Sequence, residues 1–282
     1  MTAEPAHVTT CYRHPDRRTG RHCTRCGRPA CPECLREASV GAQCVECVRA
    51  AAPSTRQRFA LRFRGERMLA TKAIIAVTVV FYILTSVGAK GATPHNDLFD
   101  KLALYGPAVH NGDWWRLYTY SLDHANLLHI GFNMLILWQV GIVLEPGTGP
   151  LRFTTLWIVS VLAGAAGALI ATPHAPIVGA SGGVFGVGAA ATIVMQRRGV
   201  RFWDTGFGPL LGINLLLGFF PSFIPNVSVG GHIGGLIGGA LATEAMLQAR
   251  RAEQPWLGYA GAIFVGAASV LLALAVAPAG VR

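Results

Sequence analysis

Charge is scarce in this 282-residue chain: only 13% of its residues are Asp, Glu, Lys or Arg, against 52% hydrophobic residues and 34 glycines. A soluble globule of that length needs more polar surface, so the composition points to a chain that crosses a membrane several times. Cysteine is absent after Cys47, all seven lying between Cys11 and Cys47. The chain therefore divides into a Cys-rich head and a Cys-free apolar body. The first 70 residues contain no apolar run long enough for a secretory signal, so the first membrane helix is expected to act as the signal. Acidic residues are few where charge is dense: residues 1–72 hold 14 Lys/Arg against 6 Asp/Glu, leaving 10 against 8 for the remainder. Such a head could contact nucleic acid, but cytoplasmic membrane flanks are basic as a rule, and no nucleic acid is expected here.

In the head, Cys11-x2-His14, Cys23-x2-Cys26, Cys31-x2-Cys34 and Cys44-x2-Cys47 form four evenly built pairs. Seven cysteines leave a disulfide framework with one thiol over, whereas counting His14 gives eight ligands and two tetrahedral zinc sites. His7 and His22 are spare candidates; His14 is preferred because its spacing from Cys11 matches the other pairs. The pairs suit sequential sites or an interleaved arrangement, one with three and two with four. The segment resembles the B-box type of cross-braced zinc finger, which favours interleaving. So small a segment has little core of its own, and two structural Zn2+ would supply its folding free energy. No cofactor is expected for catalysis. The expected organisation is a cytoplasmic zinc domain over 1–50, a basic linker over 51–68 lying against anionic lipid, and a membrane domain over 69–282. A reducing cytosol suits the thiols, and the head is open to a cytoplasmic protein partner.

Hydropathy predicts seven spans, roughly 73–89, 127–144, 153–171, 180–196, 207–220, 227–247 and 256–276. When they alternate, the basic head, Arg152, the Arg197-Arg198-Arg201 group and Arg250-Arg251 fall on one side, which the positive-inside rule makes cytoplasmic. The N-terminus is then inside and the C-terminus outside, in a multi-pass protein of a bacterial plasma membrane. Spans two, four and six all run inward, and each carries unusual polar residues near its start: His124, His129 and Asn133; Ser181; and His232. Intramembrane ionisable groups are costly and usually functional.

Ser181 sits among glycines where span four begins. The match of Gly179-Ala180-Ser181-Gly182-Gly183 to Gly-x-Ser-x-Gly is not a hydrolase elbow, because that motif needs a strand before the serine. Ser181 to Gln196 is about 24 Å of helix, which sets Ser181 below the outer surface. His232 is the candidate base. The acids of the spans, Glu145 and Glu244, lie near inner ends and cannot reach it, and nothing places Asp123 behind it, so a dyad is expected. His129 and Asn133, four apart on one helix face, suit an oxyanion hole together with the Ser181 N–H. Gly182/Gly186 and Gly231/Gly235/Gly239 form small-residue faces that would bring spans four and six close.

Residues 69–276 resemble the rhomboid family of intramembrane serine proteases. The motifs that carry the resemblance are Trp115-Arg116, His124-x4-His129-x3-Asn133, Glu145-x3-Gly149-x2-Arg152, Gly179-x-Ser181-Gly182 and Gly231-His232-x2-Gly235. The resemblance implies an all-α polytopic fold with a six-helix core plus one C-terminal transmembrane helix, preceded by the two-zinc domain. It implies Ser181 as nucleophile and His232 as base of an endopeptidase that cleaves transmembrane segments of single-span or other membrane proteins near the outer face. His129, Asn133 and the Ser181 N–H would form the oxyanion hole; His124 matches a histidine near that site, and Trp115 and Arg116 match positions of structural character. Gly231 stands where the family often has alanine, and Phe185 where it often has tyrosine, still able to stack on His232. The alternative is a non-catalytic rhomboid-like binding or quality-control factor, although relatives of that kind lack the serine or the histidine. A transporter would need polar residues along a whole path, and the inner halves of the spans hold few.

Overall fold

The computed structural model describes residues 9–38, 40–51, 68–87, 96–201, 209, 212–213 and 228–279. The chain separates into two compact units, Met1–Glu66 and Arg67–Arg282.

The first unit is built from short elements. Strands β1 (Thr9–Thr10) and β2 (Arg18–Thr19) pair antiparallel, as do β3 (Leu35–Glu37) and β4 (Ala42–Cys44), which runs directly into helix α1 (Val45–Ala51). Its apolar core is Cys11, Ala30, Cys31, Cys34 and Leu35, with Tyr12 and Ala42 packed beside them. Three of those five buried residues are cysteines, so the sulfur atoms are themselves the core.

The second unit is helical. Its long helices are α2 (Leu69–Ser86), α6 (Leu127–Thr148), α7 (Pro150–Ala171), α8 (Ser181–Gln196), α9 (Val229–Arg251) and α10 (Pro255–Val276). Between α2 and α6 come the short helices α3 (Asp97–Leu102), α4 (Gly106–His110) and α5 (Arg116–Thr119). These long helices fall where hydropathy puts six of the seven spans, while the fifth, 207–220, lies almost wholly outside the described residues. Among the described residues, α2, α6, α7 and α10 are long and apolar enough to cross a membrane; α8 is 16 residues long, and α9 is diluted by its glycines.

Helix ends follow local chemistry. Asn126 and Ser228 cap α6 and α9, their side-chain oxygens accepting from the His129 and Gly231 N–H groups. Helix α6 stops at Gly149, whose φ of +82° is left-handed territory, and Pro150 opens α7 at once. Helix α2 begins at Leu69, earlier than hydropathy suggests, because a distant residue caps it. The Glu145 carboxylate accepts from the Ala70 and Thr71 N–H groups at 2.9 Å each and from the Thr71 hydroxyl at 2.5 Å.

Glycine spacing sets the centre of the bundle. Helix α9 presents Gly230, Gly234 and Gly238 to α7, where added methyls would strike Ala171, the Gly167 backbone, Ala163 and its carbonyl. Its other face, Gly235 and Gly239, turns to α8, where added methyls would strike Gly182 and Gly186 backbone atoms, while a Cβ on Gly231 would meet Ser228 and Ala168. Backbones therefore touch on both sides of α9, the close approach that small residues permit. The α7 half of this packing, Ala163, Gly167 and Ala171 at four-residue spacing, is equally regular in the sequence and was not anticipated.

Candidate active site and metal centres

The segment before Ser181 is held from three sides. Ile177 and Leu104 exchange backbone hydrogen bonds of 2.9 Å, the Gly179 N–H donates to the Tyr120 carbonyl at 2.9 Å, and the Ala180 N–H donates to His124 Nε2 at 3.3 Å. Gly179 has φ +126°, and a Cβ there would stand 2.6 Å from His129 Cε1, so only glycine lets the ring lie against the chain. Helix α8 then starts at Ser181 itself, with no side-chain cap, leaving first-turn N–H groups open.

From this helix start the Ser181 hydroxyl meets the imidazole of His232, Oγ to Nε2, at 2.8 Å. The His232 ring is buried and packs on Phe185, with ring centroids 4.3 Å apart. Among the described residues no carboxylate bonds to His232, and the Asp123 carboxylate instead accepts from the His124 N–H at 3.0 Å.

His129 and Asn133 lie on the first turns of α6, toward the same end of the bundle. His129 packs edge-on to His124 at 5.0 Å between centroids, and Asn133 Nδ2 donates to the His129 carbonyl at 2.9 Å. That bond uses one of the two amide hydrogens of Asn133 and leaves the other without a partner among the described residues. The accepting role of His124 Nε2 puts its proton on Nδ1, which has no partner among the described residues. An imidazole at hydrogen-bond distance can take the serine proton and make the oxygen a nucleophile.

Trp115 and Arg116 lie in the connection that backs this region. Arg116 is buried, pairs with Asp113 at 2.9 Å, and donates to the Asp100 and Ala103 carbonyls at 2.5 and 2.7 Å; Trp115 Nε1 donates to the Lys101 carbonyl at 3.3 Å. Both tie α3 to α5. Sequence reasoning missed Tyr120, whose hydroxyl donates to the Val161 carbonyl at 2.9 Å and fills the gap over Gly164 and Gly182. No spacing or motif marks a lone tyrosine for that task.

In the first unit the ligand pairs interleave. Cys11, His14, Cys31 and Cys34 form one group and Cys23, Cys26, Cys44 and Cys47 the other, the ligand atoms of each lying within 4.8 Å of one another. His14 Nδ1 is 3.4 Å from both Cys31 Sγ and Cys34 Sγ. Burial pushes Cys34 up to about 11, and its hydrogen bonds with Cys26 and Cys44 push Cys47 up to about 12. The Cys44 N–H draws Cys23 down to about 6. Four such donors at this spacing resist joint ionisation unless a cation offsets their charge. The soft sulfur and imidazole sets fit a tetrahedral metal ion in both places.

Comparison with known proteins bears on the second unit. Residues 111–249 match the Rhomboid domain. The chain is 32% identical over 173 residues to "Rhomboid protease GluP" of Bacillus subtilis, covering 60% of this chain and 34% of the relative. It is 37% identical over 89 residues to "Rhomboid-related protein 3" of Homo sapiens, covering 31% and 22%. It is 27% identical over 146 residues to "Rhomboid protease AarA" of Providencia stuartii, covering 45% and 50%. The chain thus spans half or less of the length of these curated relatives. The matched segment, just under half of the chain, takes in the starts of α6, α8 and α9, and with them Ser181 and His232: over residues 111–249 this chain is similar to the rhomboid domain.

Proposed function

We propose that this chain is an intramembrane serine endopeptidase that cleaves transmembrane segments of membrane proteins with a Ser181/His232 dyad. The 2.8 Å contact between Ser181 Oγ and His232 Nε2 carries the reading. In this reading His232 accepts the serine proton as Oγ attacks a peptide carbonyl, and later returns it to the leaving amine. His129, the second amide hydrogen of Asn133 and the Ser181 N–H stabilise the oxyanion. His124, holding Ala180, and Gly179, admitting the His129 ring, are positioning residues, and Phe185 steadies the base from beneath. Gly182 and Gly235 allow α8 and α9 to meet; Trp115 and Arg116 brace the connection outside.

The same reading sets the N-terminus and the basic helix ends in the cytoplasm, the C-terminus outside, and the dyad below the outer face of a bacterial plasma membrane. The core then has six spans, the fifth over 207–220, with α10 added at the end. Two Zn2+ organise the cytoplasmic domain over 1–50, joined by a linker over 51–68. Substrates are single-span or other transmembrane proteins. A non-catalytic binding role is disfavoured because both members of the dyad are retained.

The test is cleavage of a single-span substrate by the full chain reconstituted in liposomes. Ser181→Ala is expected to abolish cleavage, and labelling by a serine-directed phosphonate probe, without lowering the melting temperature. Undiminished cleavage by that variant would sink the dyad.

A further inference from the structure

At the end of the bundle opposite Ser181 a small open cleft lies between α6, α7, α8 and α9. Its apolar wall includes Leu156, Val194 and Met246, and its polar wall Thr148, Arg152 and Arg250. A third guanidinium overhangs it, since Arg198 Nη2 lies 3.0 Å from where a Cβ on Gly147, another lining residue, would stand. Arg152 is half-buried and Arg250 exposed.

The acids next to lining residues are already committed. Glu145, beside Leu144, gives both carboxylate oxygens to the start of α2, and Glu244, beside Thr243, pairs with Arg197. Among the described residues Arg152, Arg198 and Arg250 have no ion-pair partner. A group of guanidinia left unneutralised in a cleft selects an anion, and guanidinium forks match phosphate geometry. The apolar wall beneath selects something with a hydrocarbon part, and the cleft sits at a bundle end, where lipid headgroups lie. We propose that this cleft binds the headgroup and upper acyl chain of an anionic phospholipid, its phosphate held by Arg152 and Arg250. Val194 and Met246 lie on the helices that carry Ser181 and His232, so a seated lipid braces the far ends of that pair.

The experiment extracts the full chain from phosphatidylcholine nanodiscs with or without phosphatidylglycerol and counts retained lipid by native mass spectrometry, which is independent of any cleavage. The wild type should retain phosphatidylglycerol over phosphatidylcholine. Each neutralised arginine should weaken retention about fivefold, so Arg152→Gln with Arg250→Gln should weaken it about 25-fold. Arg251→Gln, one residue along the same helix and outside the cleft, should change nothing. Should Arg152→Gln not fold, Arg250→Gln alone, at an exposed position, reads the fivefold loss. Retention by the double variant equal to wild type, or an equal loss in Arg251→Gln, overturns the site. Displacement of the lipid by inorganic phosphate alone overturns the lipid assignment in favour of a free-anion site.

Discussion

Gly235→Ala adds one methyl where α8 and α9 touch. The new Cβ would stand 2.7 and 2.9 Å from the carbonyl carbon and Cα of Gly182, the neighbour of Ser181, and closer still to the carbonyl oxygen. These are backbone atoms that cannot swing aside, so restoring carbon contacts of about 3.5–4.0 Å needs the helices to part by about 1 Å. Overpacking of this kind costs about 1–3 kcal/mol. The larger effect falls on the dyad, because Gly235 is one helical turn from His232. Parting the helices stretches the 2.8 Å Ser181–His232 contact out of hydrogen-bond range. A misplacement of about 1 Å can lower a rate about 100-fold. The assay is the initial rate of cleavage of a fluorogenic single-span substrate in liposomes, with thermal unfolding in parallel. Gly266→Ala on α10 is the control, since its Cβ would meet Val159 and Leu162 at an ordinary 3.5 and 3.7 Å. That control should keep the wild-type rate, with equal or higher stability because alanine is the better helix former. A Gly235→Ala protein with the wild-type rate would refute the reasoning: it would mean the interface yields without moving the two side chains.

Two further substitutions probe other parts of the chain. Glu145→Ala strips a buried acceptor from two N–H groups and a hydroxyl at the start of α2, and should lower stability by about 2–4 kcal/mol; a melting temperature unchanged from wild type would show that the first turn of α2 needs no cap. The full chain should contain two zinc ions by elemental analysis and Cys44→Ser one, because Cys44 belongs to a single ligand group; two ions in the variant, or none in the wild type, would count against the eight-ligand assignment.

The candidate site was legible because its chemistry is carried by residue types that are rare in apolar helices. His124, His129, Asn133, Ser181 and His232 stand out, and the alternation of spans predicts that they share a level. What decides their contact, the opposed faces of Gly182/Gly186 and Gly235/Gly239, was also readable as spacing. The second glycine face of α9 was readable too but passed unnoticed, since Gly230, Gly234 and Gly238 interleave with the first set. Tyr120 and the capping role of Glu145 were not legible. Each acts through a contact with a backbone group 41 or about 75 residues away, and no local pattern announces such a pairing. In the head, spacing marked the eight candidate ligands but left sequential and interleaved pairing open. The order is set by bonds between distant segments: the Tyr12 N–H donates to the Pro29 carbonyl beside the third pair, and the Thr24 N–H donates to the Ala42 carbonyl while the Cys44 N–H donates to Cys23 Sγ, joining the second pair to the fourth.

The six glycines of α9 between Gly230 and Gly239 bear on the order of assembly. In a solvated helix each glycine forfeits about 1 kcal/mol relative to alanine, so this stretch is a poor helix until neighbours close around it. Helices α7 and α8 precede it in the chain and offer the two surfaces it requires. His232 therefore reaches the serine only when the bundle is essentially complete, and under the proposed function a half-built protein emerging from the insertion machinery would be chemically silent toward the nascent membrane segments around it.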